Sequence, residues 1–181
     1  MTYRLVVADL DGTLMGDDVT ISPAVLAAVR QVTERGAYFT IATGRTFEGA
    51  QPHALRLGVN APAILYQGGQ LRDMSSGAII YQSTVALETA RRLIALIAKA
   101  GLHLNVYLDD RAFAARQSAG GAYYAALNRV EITLVGDLLA FVDRPPSKLL
   151  IIAEPAELDE LAPRLRQEFA GQLQIVRSHA R

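Results

Sequence analysis

Asp9 and Asp11 stand two residues apart in the stretch VVADLDGTL, residues 6–14, directly after an apolar run. Two carboxylates that close repel unless a proton or a cation lies between them. A hard divalent ion such as Mg²⁺ takes oxygen ligands and commonly bridges one or two carboxylates to a phosphate. An ionised carboxylate is also a nucleophile that needs no activating base, whereas a second carboxyl acting as an acid must hold a proton. Gly12 lets the backbone turn sharply, and Thr13 offers a hydroxyl and an amide to an anion. An Asp-Gly step after a strand is equally a hairpin signal, so the pair takes its meaning from the elements around it.

Those elements are legible over the first eighty residues. RLVVADL is a short, β-branched apolar run, the pattern of a parallel strand covered on both faces. Ser22 and Pro23 supply a capping residue and a proline for a first helical turn, and Val25, Leu26, Val29 and Val32 form one stripe before Gly36. AYFTIAT, residues 37–43, reads as a second buried strand, TFEGAQPHALRLG as a helix containing Pro52, and PAILY as a third strand. This alternation predicts a doubly wound α/β sheet with right-handed crossovers. Ligands of open parallel sheets sit beyond the carboxyl ends of the strands, which places Asp9, Asp11 and Thr43 to Arg45 at one crevice. A fully extended chain would aim Asp9 and Asp11 to the same side. Arg45 is expected either to bind an anion or to pair with a carboxylate. Asp17 and Asp18 are expected in a solvated turn.

DLDGTL at 9–14, followed by TGR at 43–45, resembles the haloacid dehalogenase superfamily of phosphohydrolases. YQGG at 66–69 is similar to the NG that follows the third strand in its Cof-type members, with Gln67 where the family has asparagine. The resemblance implies a Rossmannoid parallel sheet, residues 1–83, as the first half of the catalytic core, and an inserted α+β cap of type IIB, residues 84–181. It further implies Asp9 as a nucleophile forming an aspartyl-phosphate and Asp11 as general acid and base. Mg²⁺ would be held by the Asp9 side chain and the Asp11 backbone carbonyl. Thr43 and Arg45 would contact the phosphoryl group, helped by backbone around Leu10, Gly12, Thr13 and Gly44. The implied reaction is hydrolysis of a small phosphomonoester such as a sugar phosphate. A noncatalytic phosphate-binding or assembly module and a phosphomutase are the alternatives.

The family's third-motif lysine and its acidic GDxxND loop do not follow. Lys148 enters a strand inside the cap and is not their counterpart. The expectation is therefore a truncated, impaired phosphatase whose core sheet has an unpaired edge, covered by a second copy or a partner chain.

After residue 83 the pattern restarts. Leu87, Ala90, Leu93, Ile94 and Ile97 recur at helical spacing before Gly101, and LHLNVYL and RAFAA make a hairpin around Asp109 and Asp110. A helix over GGAYYAALNRV, strands over EITLV and SKLLIIA, a helix over ELDELAPRLRQEF and a last strand over LQIVRS complete an antiparallel α+β layer, with DRPPSK, 143–148, as a stiff loop and local hinge. Cap residues that would choose the substrate are Asp109, Asp110, Arg111, Tyr123 and Tyr124. His53, His103 and His179 lack zinc-ligand spacing.

Equal numbers of basic and acidic residues, 18 each, argue against a nucleic-acid or anionic-membrane partner. The absence of cysteine excludes disulfides and thiolate metal sites and fits a cytoplasmic protein. No apolar run approaches the ~20 residues of a membrane span.

Overall fold

The computed structural model describes residues 3–16, 18–128 and 130–177. The chain divides into two compact units, Met1–Ser83 and Thr84–Arg181.

The first unit contains β1 (Leu5–Asp9), α1 (Pro23–Glu34), β2 (Tyr38–Ala42), α2 (Phe47–Leu57), β3 (Ala63–Leu65), a 3₁₀ turn at Tyr66–Gly68, β4 (Gln70–Arg72) and β5 (Ile79–Gln82). The Ser22 side chain accepts from the Val25 amide and Pro23 opens α1, so the first turn is satisfied as its sequence suggests. Thr46 caps α2 in the same way, and Gly58 closes that helix in the left-handed conformation.

The five strands lie in the order β1-β2-β3-β4-β5, with β1, β2 and β3 parallel and β4 and β5 antiparallel. Two expectations are corrected here. The sheet is mixed, because the short connections after β3 can only return as hairpins. Its strand order also runs in sequence without reversal, and α1 packs against α2, so the unit is not doubly wound among the described residues.

β1 departs from the expected cover on both faces: among the described residues it lies at the sheet edge, and Leu5 and Val7, which share one of its faces, are 51% and 43% exposed. The buried centre of the sheet is β2, where Phe39 and Ile41 are 3% and 0% exposed. Ile41→Ala is expected to cost this unit about 2–5 kcal/mol, read as a lowered denaturant midpoint at unchanged m-value.

The second unit contains α3 (Leu87–Lys99), β6 (His103–Leu108), β7 (Arg111–Ala114), α4 (Ala119–Asn128), β8 (Ile132–Leu134), α5 (Leu138–Phe141), β9 (Lys148–Ile152) and α6 (Pro155–Glu168). Its sheet order is β8-β7-β6-β9. β6 pairs antiparallel with β7 and β9, but β7 and β8 are parallel because α4 crosses between them, so the expected antiparallel layer is mixed. Leu104, Val106 and Leu108 of β6 face a core built with Leu93, Ile94 and Ile97 of α3 and Leu161 and Leu165 of α6.

The strand expected over LQIVRS does not form in its described part. Residues 173–177 are irregular; Leu173 and Ile175 pack on the core while Val176 is 53% exposed. Ser178 and His179 lie outside the described residues. DRPPSK is not a hinge either. The Val85 amide donates to the Pro146 carbonyl and the Ser147 amide to that of Tyr107, and Pro146 is fully buried, so the loop is tied down on both sides.

Candidate active site

β1 and β2 run in register to their carboxyl ends, with Asp9 opposite Ala42, and Ala42 in turn opposite Ile64 of β3. The residues that follow each strand therefore converge at one rim of the sheet. There Asp9, Ala42, Thr43, Gly44, Ile64, Gln67 and Gly68 line a cavity of about 330 Å³. Asp9 is exposed and Thr43 is 5% exposed.

The TGR segment is held by the turn after β3. The Thr43 amide donates to the Ile64 carbonyl, while Tyr66 and Gln67 donate their amides to the carbonyls of Arg45 and Thr43. Thr43 Oγ1 accepts from the Arg45 amide at 3.2 Å, which leaves the hydroxyl proton for an acceptor in the cavity. Tyr66 and Gln67 both adopt left-handed backbone, φ 53° and 57°. That costs roughly 1 kcal/mol or more for each side-chain-bearing residue, so the surrounding packing holds strain at this rim.

Gln67, which stands where the family has asparagine, lines the cavity. Its side chain lies over Gly44: a methyl group there would meet Gln67 Cγ at 3.1 Å and Cδ at 3.3 Å. A Cβ at Gly44 would crowd the Gln67 side chain, which would have to give by a few tenths of an ångström. Gly44→Ala is accordingly expected to push the Gln67 carboxamide aside and weaken binding of a phosphate analogue by about 3–10-fold, the worth of one hydrogen bond. Calorimetry on the Gly44→Ala protein checks this, and unchanged affinity would remove Gln67 from the site.

Asp11 departs from the expected geometry. The chain leaves its extended path at Leu10, which is fully buried, and turns with Gly12 at φ 76°. Leu14 and Met15 donate their amides to the Leu10 carbonyl, so Asp9 and Asp11 do not share one face of a strand. Asp11 instead meets Arg45, which donates from Nε to Oδ2 at 2.9 Å and from Nη2 to Oδ1 at 2.7 Å. The pair is part-buried, with side chains 21% (Arg45) and 37% (Asp11) exposed. Of the two readings of Arg45, this structure realises the carboxylate pair. Arg45 Nη1 also donates to the Gly49 carbonyl in α2, which fixes the guanidinium plane. The Gly12 amide donates to the Met15 carbonyl at 2.9 Å and so is not turned to an anion in this structure. Thr13 is exposed. Asp18 accepts from the Thr20 hydroxyl and amide in an exposed turn, which lowers its carboxyl below the ordinary value; Asp17 lies outside the described residues.

Among the described residues no three acidic, histidine or cysteine side chains cluster as metal ligands. In the second unit, Asp109 and Asp110 form the hairpin turn with φ 49° and 64°, and Arg144 donates to Asp109 at 2.6 Å. Arg111 lies over the Phe113 ring, and Tyr123 is 63% exposed. His103 is spoken for within the protein. Its Nδ1 is hydrogen-bonded with the Ser118 hydroxyl and its Nε2 with Asn105 Oδ1, each at 2.8 Å, and Ser118 also accepts from the Gly121 amide.

Sequence reading did not anticipate Ile64 or Gly68 in the cavity, nor the left-handed Tyr66 and Gln67. The glycine pair of YQGG marks a turn there, but nothing in the composition signals that the two residues before it carry the strain.

Comparison with known proteins places this geometry in context. The profile of the haloacid dehalogenase-like hydrolases matches residues 6–181. The chain is 27% identical to an HMP-PP phosphatase of Serratia proteamaculans, over 96% of this chain and 63% of that protein. The fold superimposes on TM0651 from Thermotoga maritima with a TM-score of 0.83 at 27% identity, covering 98% of this chain and 67% of the other. It also superimposes on a haloacid dehalogenase-like hydrolase from Bacteroides thetaiotaomicron with a TM-score of 0.86 at 25% identity, covering 98% and 68%. The chain thus spans about two thirds of the length of these relatives. With the motif-bearing residues matched from Val6 onward and the two-unit fold shared, this chain belongs to the haloacid dehalogenase-like hydrolase family.

Proposed function

We propose that these residues belong to a Mg²⁺-dependent phosphomonoester hydrolase acting on a small phosphorylated metabolite, with Asp9 as nucleophile and Asp11 as general acid and base. The observation that carries this reading is the shared rim. It brings an exposed carboxylate, a buried threonine hydroxyl and a glutamine amide from three separate strand ends around one cavity. The relative from Serratia is named for a small phosphorylated compound, which agrees with a cavity of this size.

The chemistry follows from the groups present. Asp9 attacks phosphorus, the ester P–O bond breaks, and the proton on Asp11 passes to the departing alkoxide. Water then attacks phosphorus of the aspartyl-phosphate, Asp11 takes the water proton, and Asp9 and inorganic phosphate are regenerated. The Thr43 hydroxyl and the Gln67 carboxamide orient the phosphoryl oxygens during both transfers. The Asp9 carboxylate and the Asp11 backbone carbonyl are hard oxygen donors of the kind Mg²⁺ accepts and would hold the ion. Bound there, the ion would offset the repulsion between the carboxylate and the incoming phosphate.

Arg45 sets a condition on the cycle. Two charge-assisted hydrogen bonds favour the Asp11 carboxylate over the carboxylic acid, so the guanidinium must move off before Asp11 can donate a proton. The same pair favours a second reading, a noncatalytic phosphate-binding module in which Asp11 stays neutralised. Phosphate release from a panel of sugar and cofactor phosphates by the natural gene product separates the two. Turnover that requires Mg²⁺ and Asp9 is expected; saturable phosphate binding without turnover of any substrate would establish the binding module instead.

A further inference from the structure

We propose that the second unit carries a binding site for a zwitterionic α-amino acid with an apolar side chain, at the cavity between the end of α3 and the start of α5. The cavity has a volume of about 320 Å³, and every residue lining it belongs to the second unit. That volume is near the lower end of small-molecule pockets, roughly 300 Å³ and upward, and suits a ligand the size of a single amino acid. Its floor is apolar: Ile97, Leu104 and Leu138 are buried and Leu102 is half-buried.

Two glycine turns keep the mouth open. α3 leads into Gly101 and Gly136 leads into α5, both glycines in left-handed backbone with φ 71° and 78°. A Cβ built on either one meets nothing within 4 Å.

One cation and one anion border the same cavity, Arg116 and Asp137, both exposed. They do not neutralise each other, and neither takes part in an ion pair among the described residues. Arg116 uses a single N–H, from Nη2 to the Gly101 carbonyl at 3.3 Å, so most of its five donors remain for a ligand. Asp137 Oδ1 accepts from the Leu139 and Ala140 amides at 2.8 Å and 3.2 Å, which leaves Oδ2 for a ligand. His103 and Ser118 also line the wall, but they are committed to each other, to Asn105 and to the Gly121 amide. Opposite charges held apart over one apolar floor match the carboxylate and ammonium of an amino acid, whose side chain then covers the floor. A ligand with only one charge leaves the other rim group without a counter-ion.

Calorimetric titration with L-phenylalanine as probe tests the site, beside 3-phenylpropionate, which lacks the ammonium, and 2-phenylethylamine, which lacks the carboxylate. L-Phenylalanine is expected to bind saturably, and each analogue about 3–10-fold more weakly, the worth of one solvent-exposed charged hydrogen bond. Arg116→Gln should weaken L-phenylalanine by a similar factor and leave 2-phenylethylamine unchanged. Asp137→Asn, which retains a capping oxygen for α5, should weaken L-phenylalanine and leave 3-phenylpropionate unchanged. Ala98 is exposed on α3 and lines the cavity, so Ala98→Phe should fill the space, abolish binding and keep the melting temperature within a degree or two. The proposal fails if L-phenylalanine does not saturate, if either analogue binds as tightly, or if neither rim substitution changes the affinity. Binding that survives Ala98→Phe would put the ligand elsewhere on the protein and overturn it as well.

Discussion

Asp9→Asn is expected to abolish phosphate release from every substrate, by on the order of 10⁵-fold or more, as removal of a nucleophile does elsewhere. An amide nitrogen and a neutral carbonyl oxygen replace the attacking anion, so no aspartyl-phosphate forms at all. The loss should fall on kcat and kcat/KM together, because the missing bond is made only on the way to the transition state. Asp9 projects into the cavity from the end of an edge strand and is exposed, so the substitution removes no packing, and the melting temperature should stay within a degree or two. Rapid-quench mass spectrometry supplies the second measurement: parent protein should carry a transient phosphoryl mass on the peptide containing Asp9, and the variant none. A phosphorylated intermediate on any other residue would displace Asp9 from the role assigned here.

Asp11→Asn should lower turnover of alkyl phosphates by about 10²–10⁴-fold, the usual worth of a positioned proton donor. The diagnostic is the leaving group. An aryl phosphate whose phenolate departs unprotonated should regain much of the first step, with phosphoenzyme accumulating because the variant lacks the base that activates water. Equal losses on alkyl and aryl substrates would instead make Asp11 a structural partner of Arg45. The pair itself contributes about 1 kcal/mol or less to folding, since both side chains remain partly solvated. Arg45→Gln is thus expected to spare stability while freeing the Asp11 carboxyl from its two hydrogen bonds, which should raise turnover of alkyl phosphates. A fall in turnover would mean that Arg45 also holds substrate.

Much of this was already written in the chain. The helix starting at Pro23 announces itself through Ser22, a capping oxygen placed before a proline. The hairpin at Asp109 and Asp110 and the helix from Leu87 to Lys99 follow from local periodicity. All of these are short-range signals, in which a residue's own conformational preference or its nearest neighbours decide the outcome. DLDGTL and TGR likewise point to the family, because each is a contiguous motif read within a few residues.

The rest was settled by contacts between segments distant in sequence. Leu5 and Val7 have the composition of an enclosed strand, yet the face they share is open among the described residues, and only what packs on that face determines this. LQIVRS has strand-forming residues, but its described part has no sheet partner. Arg45 could have faced an anion or a carboxylate, and the turn at Leu10 swings Asp11 into its reach. The sequence by itself determined which groups are present and which short elements carry them. The tertiary structure decided which groups meet, because pairing and burial are free energies of two surfaces brought together and neither surface encodes its partner alone.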